Sequence, residues 1–242
     1  MCFTVNVNIV KEELEKRYGA VLNDPDAYRP SYYYHAFELP RLPVITAERP
    51  EKIQLFYWGL IPSWTNSEKQ ASEIRLKTFN ARAETLSRKP SFSKPLRSKR
   101  CLVPVRGFYE WQHRKDRKIP HYVYLADQDI FSLAGIYDTW LDKSTGELTY
   151  SFSIITVAAN PLLAKIHNSK QRMPAILTGE DEKSWLSITF PKDRVQGLLQ
   201  PYPEQEIKAH TISPLISKKG VEKNLPRLIE PFNYDQSRLF LE

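Results

Sequence analysis

Four residues far apart in the chain, Cys2, Asn80, Glu110 and His167, are of types that can attack a carbonyl and move its protons. Cys2 is one of only two cysteines, and Met1 ahead of it is expected to be removed because the next residue is small. The mature chain then opens with an α-amine and a thiol on adjacent carbons. The α-amine has a pKa of about 7.7–8.0 against about 10.4 for lysine. Its nucleophilic fraction at neutral pH is therefore roughly a few hundred times larger. Such an amine condenses with an aldehyde to a Schiff base without a buried pocket to lower its pKa. The thiol can then add to the imine carbon and close a five-membered thiazolidine ring, which no internal Cys or Lys can do. By position alone, a penultimate Cys is usually just a small residue near a chain end, and the companion residues are what shift the balance.

The companion residues each carry two readings. Asn80 and Arg82, in TFNARAET (78–85), fall at a predicted strand-to-helix junction. Asn there is an ordinary N-cap, while Arg beside a helix start is well placed to receive a phosphate. Glu110 stands among Phe108, Tyr109 and Trp111, and on a continuous strand it shares a face with Phe108, Arg106 and Leu102. Either that face is exposed, or an apolar setting raises the carboxyl pKa and makes Glu110 a general acid. His167 lies near the end of a short predicted helix, before Arg172. It reads as a structural histidine or as a proton shuttle. Trp58 and Trp64 flank the turn in FYWGLIPSW (56–64), as core residues or as rings that stack on exposed bases.

Charge narrows the partners. The 242 residues carry a net charge of +7, unevenly spread. SRKPSFSKPLRSKR (87–100) holds Arg88, Lys89, Lys94, Arg97, Lys99 and Arg100 without an acid, and HRKDRK (113–118) adds four bases for one Asp. These are two solvated loops or a groove that follows a phosphate backbone. Two cysteines make no disulfide framework, which favours a reducing, cytoplasmic compartment. The apolar start has no basic segment ahead of it, so no signal peptide is expected. The longest uncharged run, 148–164, is broken by Asn160-Pro161 and reads as a buried strand then a helix, not a membrane span. Paired metal-ligand spacings, a phosphate-cradling glycine loop and G-x-S-x-G are all missing, so no metal and no cofactor are expected.

The elements that must position these residues follow from pattern. VKEELEKRYG (10–19) predicts a short helix with Glu12/Lys16 and Glu13/Arg17 four apart and Gly19 as its stop. IQLFYWGL, KRCLVPVRGFYEW, HYVYLAD, IFSLAGIYDTW and YSFSIITVAA predict strands. Short gaps between them favour antiparallel pairing over parallel crossovers. Helical patches are predicted at 81–88, 161–169, 181–186 and 193–200. One α+β domain over residues 1–242 follows, with a curved, mostly antiparallel sheet flanked by short helices.

Taken together, the motifs resemble the SOS-response-associated peptidase (SRAP) domain proteins, which act as shields for abasic sites in DNA. The residues that carry the resemblance are Met1-Cys2, W-G-L-I-P-S-W (58–64), F-N-A-R-A-E-T (79–85), C-L-V-P-V-R-G-F-Y-E-W (101–111), A-G-I-Y (134–137), I-I-T-V-A-A-N (154–160), I-H-N with R-M-P-A-I-L (166–168, 172–177) and L-P-R-L-I-E-P (225–231). They span essentially the whole chain. The resemblance implies a barrel-like sheet and covalent attachment of Cys2 to the aldehyde of an abasic site in single-stranded DNA during the DNA damage response. It implies that Asn80 holds the Cys2 amine and the sugar, that Glu110 steers protonation, and that His167 moves protons at the same centre. Arg82 takes a backbone phosphate and the tryptophans wedge or stack. Arg97, Arg100, Arg106 and Arg172 complete the expected DNA-binding set. The partner is then single-stranded abasic DNA, the protein a monomer of bacterial type, nucleoid-associated when on DNA. Two departures are visible. Phe3-Thr4 stands where many members have Gly-Arg, and NSKQ (168–171) separates His167 from Arg172 where the motif is commonly I-H-D-R-M-P. Two other readings stay open: an N-terminal-nucleophile peptidase or amidase with self-processing, and a module that binds single strands reversibly.

Overall fold

A computed structural model describes residues 2–187, 189 and 192–234. Its strands are β1 (Thr4–Val7), β2 (Val21–Leu22), β3 (Ser31–His35), β4 (Arg41–Thr46), β5 (Lys52–Trp58), β6 (Asn80–Arg82) and β7 (Arg100–Val105). They continue as β8 (Gly107–His113), β9 (Lys118–Leu125), β10 (Phe131–Leu141), β11 (Leu148–Ala158), β12 (Arg172–Pro174), β13 (Ile176–Leu177) and β14 (Ile207–Thr211). Helices α1 (Lys11–Tyr18), α2 (Glu68–Arg75), α3 (Pro90–Ser98), α4 (Pro161–Ile166), α5 (Glu180–Leu186) and α6 (Lys192–Val195) lie between them.

Antiparallel pairs join β11 to β10, β10 to β7, β7 to β4 and β4 to β5. β5 then runs parallel to β11 and closes a five-stranded mixed barrel. Closure removes free strand edges, and apolar side chains such as Val44, Ile53, Val103, Leu133 and Ile154 bury completely in one continuous core. The second sheet, β14-β9-β8-β1-β3, is antiparallel throughout. Val5, Val7, Phe108 and Val123 join it to the barrel core. Tyr109 and Tyr122 pack instead with Ile212, Ile216 and Leu228 of the C-terminal segment. Strand β8 is thereby covered on both faces. The expected α+β fold with a barrel-like, mostly antiparallel sheet is what forms.

Local differences have identifiable causes. The run 99–111, read as one strand, is two strands in two sheets. At Arg106 the amide donates to the Asn6 carbonyl, and the guanidinium to the Asn8 carbonyl and to Glu13. These bonds take residue 106 out of the barrel ladder and start β8 against β1. Asn80 does not cap a helix: it opens β6, parallel to β11, and residues 81–88 are helical only as a 3-10 turn over Ala83–Thr85. Helix α1 ends as expected at Gly19, whose φ of 60° suits glycine. Helices α2 and α3 and strands β1, β2, β3, β4 and β14 are additional.

Arg100 explains why part of the basic segment is not a loop. It is 1% exposed, and its guanidinium donates to the carbonyls of Leu96 and Arg97 at the end of α3 and of Trp185 and Ser187 at the end of α5. One side chain thus satisfies the orphan carbonyls of two helix ends. Replacing it with Met leaves those carbonyls unpaired and is expected to cost about 3 kcal/mol, lowering Tm by about 10 °C in thermal unfolding. DNA affinity measured below the transition should not change.

Candidate functional site

Strand β1 brings the start of the chain beside β8. Val5 pairs with Phe108 and Asn6 with Gly107, and this register, carried toward the chain start, sets residue 3 level with Glu110. Cys2 is fully buried. Its carbonyl accepts a hydrogen bond from Asn80 Nδ2 at 2.8 Å, and its Sγ lies 3.9 Å from the Thr4 carbonyl oxygen. Asn80 is aimed there by the barrel. β6 lies along β11, and Trp58 Nε1 donates to the Phe79 carbonyl at 2.9 Å. Gly59, at φ +107°, passes so close that a Cβ would sit 3.0 Å from the Phe79 ring and 2.8 Å from Arg75 Cγ. Asn80 Oδ1 is buried with no hydrogen-bond partner among the described residues, which leaves an acceptor aimed into the site.

Glu110 and His167 form the opposite wall. Their side chains are almost fully buried, with His167 Nδ1 3.8 Å from Glu110 Oε2. Burial pushes the Glu110 carboxyl up to about 8, and the His167 imidazole down. At neutral pH Glu110 is therefore mostly a carboxylic acid, able to give a proton. His167 sits directly after α4, which Asn160 caps through the Leu163 amide and Pro161 starts. Its Nδ1 is 2.8 Å from the Arg172 carbonyl oxygen, a geometry that assigns the proton to Nδ1 and makes Nε2 the basic nitrogen. The Cys2 thiol is pushed up by burial first, and further by Glu110 once that carboxyl ionises at higher pH, so it stays undissociated. Acid, imidazole and thiol are all neutral together, beside a buried amide.

A pocket of about 520 Å³ opens over this wall, lined by Phe3, Glu110, Trp111, Lys118, His167 and Lys170 among others. Sequence reasoning singled out neither Phe3, Lys118 nor Lys170 as site residues, and used Trp111 only as a neighbour of Glu110. Lys170 lies in the extra NSKQ segment, and that segment is anchored. Asn168 Nδ2 donates to the His113 carbonyl and Asn168 Oδ1 accepts from the His113 amide, at 2.9 and 3.0 Å. The turn ends at Gln171, at a φ of 50° rare for a residue other than glycine. The insertion therefore builds one side of the pocket and leaves His167 facing Glu110.

Other expected DNA contacts fall into two groups. Arg82 and Arg97 are exposed, and Trp64 is 44% exposed with Nε1 3.4 Å from the Pro90 carbonyl oxygen. Trp58 is a correction: it is fully buried, stacked at 6.3 Å on Phe152, and shows no ring face to a base. Arg100 is a second correction, because its donors are consumed by backbone carbonyls. Arg106 is occupied by Glu13 at 2.6 Å, and Arg172 by both Glu84 oxygens, at 2.6 and 3.0 Å.

Among the described residues no three His, Cys, Asp or Glu gather as a metal cluster, and no helix is long and apolar enough to cross a membrane. The profile of the SOS response associated peptidase (SRAP) family matches residues 1–219. The chain belongs to this family. Among similar SRAP relatives, the abasic site processing protein YoqW of Bacillus subtilis (strain 168) is 42% identical over 206 residues, 84% of this chain and 87% of that protein. The abasic site processing protein HMCES of Xenopus tropicalis is 33% identical over 223 residues, 80% of this chain and 64% of that protein. A crystal structure of a Bacteroides thetaiotaomicron protein superposes with a TM-score of 0.90 at 41% identity, covering 96% of this chain and 100% of that one. A second, from Bordetella bronchiseptica, gives 0.75 at 25% identity over 88% and 100%.

Proposed function

We propose that this SRAP protein processes abasic sites in DNA, by trapping the ring-opened sugar aldehyde covalently on Cys2. The observation that carries the proposal is the Asn80–Cys2 hydrogen bond beside the buried Glu110–His167 pair. Similarity to proteins named for abasic site processing supports the substrate class. Once Met1 is removed, the Cys2 amine adds to the aldehyde carbon and water leaves, giving a Schiff base. The S–H then adds across C=N, sulfur to carbon and hydrogen to nitrogen, giving a thiazolidine. The undissociated thiol favours this order, because a protonated sulfur is the weaker nucleophile of the two. Neutral Glu110 gives the proton that departs with water, and His167 returns protons at the same centre. Asn80 orients the amine, and exposed Arg82 meets the phosphate beside the lesion.

The chain acts in this reading as one domain and a monomer, on single-stranded DNA in the cytoplasm, without metal or cofactor. Cys2→Ser tests it. The variant is expected to form a Schiff base that borohydride traps, and no adduct that survives a denaturing gel without reductant. A heat-stable adduct from Cys2→Ser without reductant would rule out the ring. Cys2-dependent hydrolysis of a peptide or amide library would move the reading to an N-terminal-nucleophile hydrolase.

A further inference from the structure

One end of the barrel is open. A cavity of about 260 Å³ lies there, lined by Thr46, Gln54, Phe56, Tyr137, Thr139 and Tyr150 from the strands. Register puts all six on the inner face, because alternate residues share a face and paired residues lie side by side. Leu42 pairs with Phe56 and Val44 with Gln54, Thr46 with Cys101, Cys101 with Gly135, and Thr139 with Tyr150. Side chains fill the interior of so small a barrel, and space opens at its mouth. Trp58 and Phe152, stacked and fully buried, close the barrel behind the cavity. Strand β11 runs from this mouth toward the candidate site. Tyr150 lines the mouth, and Ile154, which pairs with Asn80, lies four residues or about 13 Å further on. The mouth is thus a separate site from the Cys2 centre.

Its lining combines rings with polar groups. The Phe56 ring lies 5.4 Å from Tyr137 and 5.1 Å from Tyr150, the second pair nearly parallel at 25°. Phe56 and Tyr137 are buried, whereas Tyr150 is 40% exposed and ends the stack at the mouth. The Tyr137 hydroxyl donates to Glu48 Oε2, and Thr46 Oγ1 donates to Gln54 Oε1. At the rim, the Arg49 guanidinium has no hydrogen bond or ion pair among the described residues. Lys99 gives one donor to Asp138 at 2.6 Å and has two more. We propose that this mouth binds a nucleobase carrying a phosphate, with the base on Tyr150 and the phosphate at Arg49 and Lys99. Barrel mouths are recurrent ligand sites. Any base has a face to lay on an exposed ring. A plain phenyl ring would fill the stack but leave Glu48, Gln54 and Thr139 facing carbon, whereas the polar edge of a base gives them partners. A guanidinium beside an ammonium suits the several oxygens of a phosphate. The ligand is a free nucleotide or the phosphorylated end of a strand, which share this chemistry. The site goes beyond the abasic-site reading and does not depend on it.

The test is calorimetric titration of the full chain with deoxynucleoside 5′-monophosphates and with a 5′-phosphorylated trinucleotide. One saturable site per chain is expected for the mononucleotides. Tyr150→Ala should weaken binding about tenfold, the size of one base–aromatic stack, and Tyr150→Phe should bind as wild type does. Arg49→Ala should weaken nucleotides about tenfold and leave the matching nucleosides unchanged, because the guanidinium meets only the phosphate. Tighter binding of the trinucleotide than of the mononucleotides assigns the mouth to a strand end, and equal or weaker binding assigns it to a free nucleotide. A single strand with an internal tetrahydrofuran abasic analogue and base-free ends should not displace the mononucleotide. No saturation by any mononucleotide, saturation that either Tyr150→Ala or Arg49→Ala leaves unchanged, or displacement by the tetrahydrofuran strand would overturn the proposal.

Discussion

A chain carrying extra residues ahead of Cys2 is expected to form no adduct with abasic single strands that survives denaturation. An extension turns the Cys2 nitrogen into an amide, whose lone pair is delocalised and does not attack an aldehyde. The thiol remains, but burial and Glu110 hold it undissociated, and without the amine no ring can close. The remaining nucleophiles are lysines, with a neutral fraction roughly a few hundred times smaller at pH 7. Adduct yield at early times should therefore fall at least about a hundredfold, and intact mass of the native chain should rise by the oligonucleotide less one water. Reversible binding, followed by anisotropy on an unreactive analogue, should keep its salt dependence, because Arg82 and Arg97 are untouched. A reversible binding module also predicts unchanged binding, but with no adduct from the native chain either. Full adduct yield from the extended chain would place the nucleophile elsewhere.

The proposed chemistry is suggested by residue type where it depends on a covalent possibility, and illegible where it depends on which face is covered. Cys2 offers an amine and a thiol once Met1 is removed, a possibility its position suggests but does not decide. Glu110 does not announce its burial, since a strand with Phe108 and Glu110 on one face reads equally as an exposed edge. Only the placement of β8 between β1 and β9, under the barrel and under the C-terminal segment, decides that its carboxyl is dry. Parity along the strand misled for a local reason: Arg106 leaves the ladder, so Leu102 and Glu110 do not share a sheet. Trp58 and Arg100 show the same limit. Both stand in motifs rich in polar or basic neighbours, yet one lies in the barrel core and the other bonds four carbonyls contributed by two helices. The mostly antiparallel pairing was readable, because β-rich runs with short gaps leave few other arrangements, whereas the parallel β5–β11 pair that closes the barrel has no local signal.

Glu110→Gln is expected to separate the acid's role in catalysis from its cost in stability. An amide of the same shape cannot give the proton that departs with water, so adduct formation should slow on the order of a hundredfold or more. The pH profile should change shape as well. With the Glu110 carboxyl at about 8, the wild-type rate falls as pH rises above that value, while the variant lacks this limb. Stability moves in the opposite sense. The folded pKa is raised from an ordinary 4.5 to about 8, so the folded protein keeps a proton that the unfolded chain gives up. Stability is therefore lost as pH climbs through that interval, and the loss is complete above 8. His167 and His121, which faces Glu110 across the β8–β9 pair, are both pushed down by burial. Their effect is confined to pH below about 6.5, where the unfolded chain gains their protons. The two cysteines, pushed up from 9.0, matter only near and above that value. The α-amine also titrates at about 7.7–8.0, so between pH 6.5 and 8 it is the difference in slope between wild type and Glu110→Gln that reports Glu110. Urea denaturation across that window should show wild type losing about 1–2 kcal/mol relative to Glu110→Gln. Parallel curves for the two proteins would mean that Glu110 is ionised throughout the window and gives no proton to the leaving water.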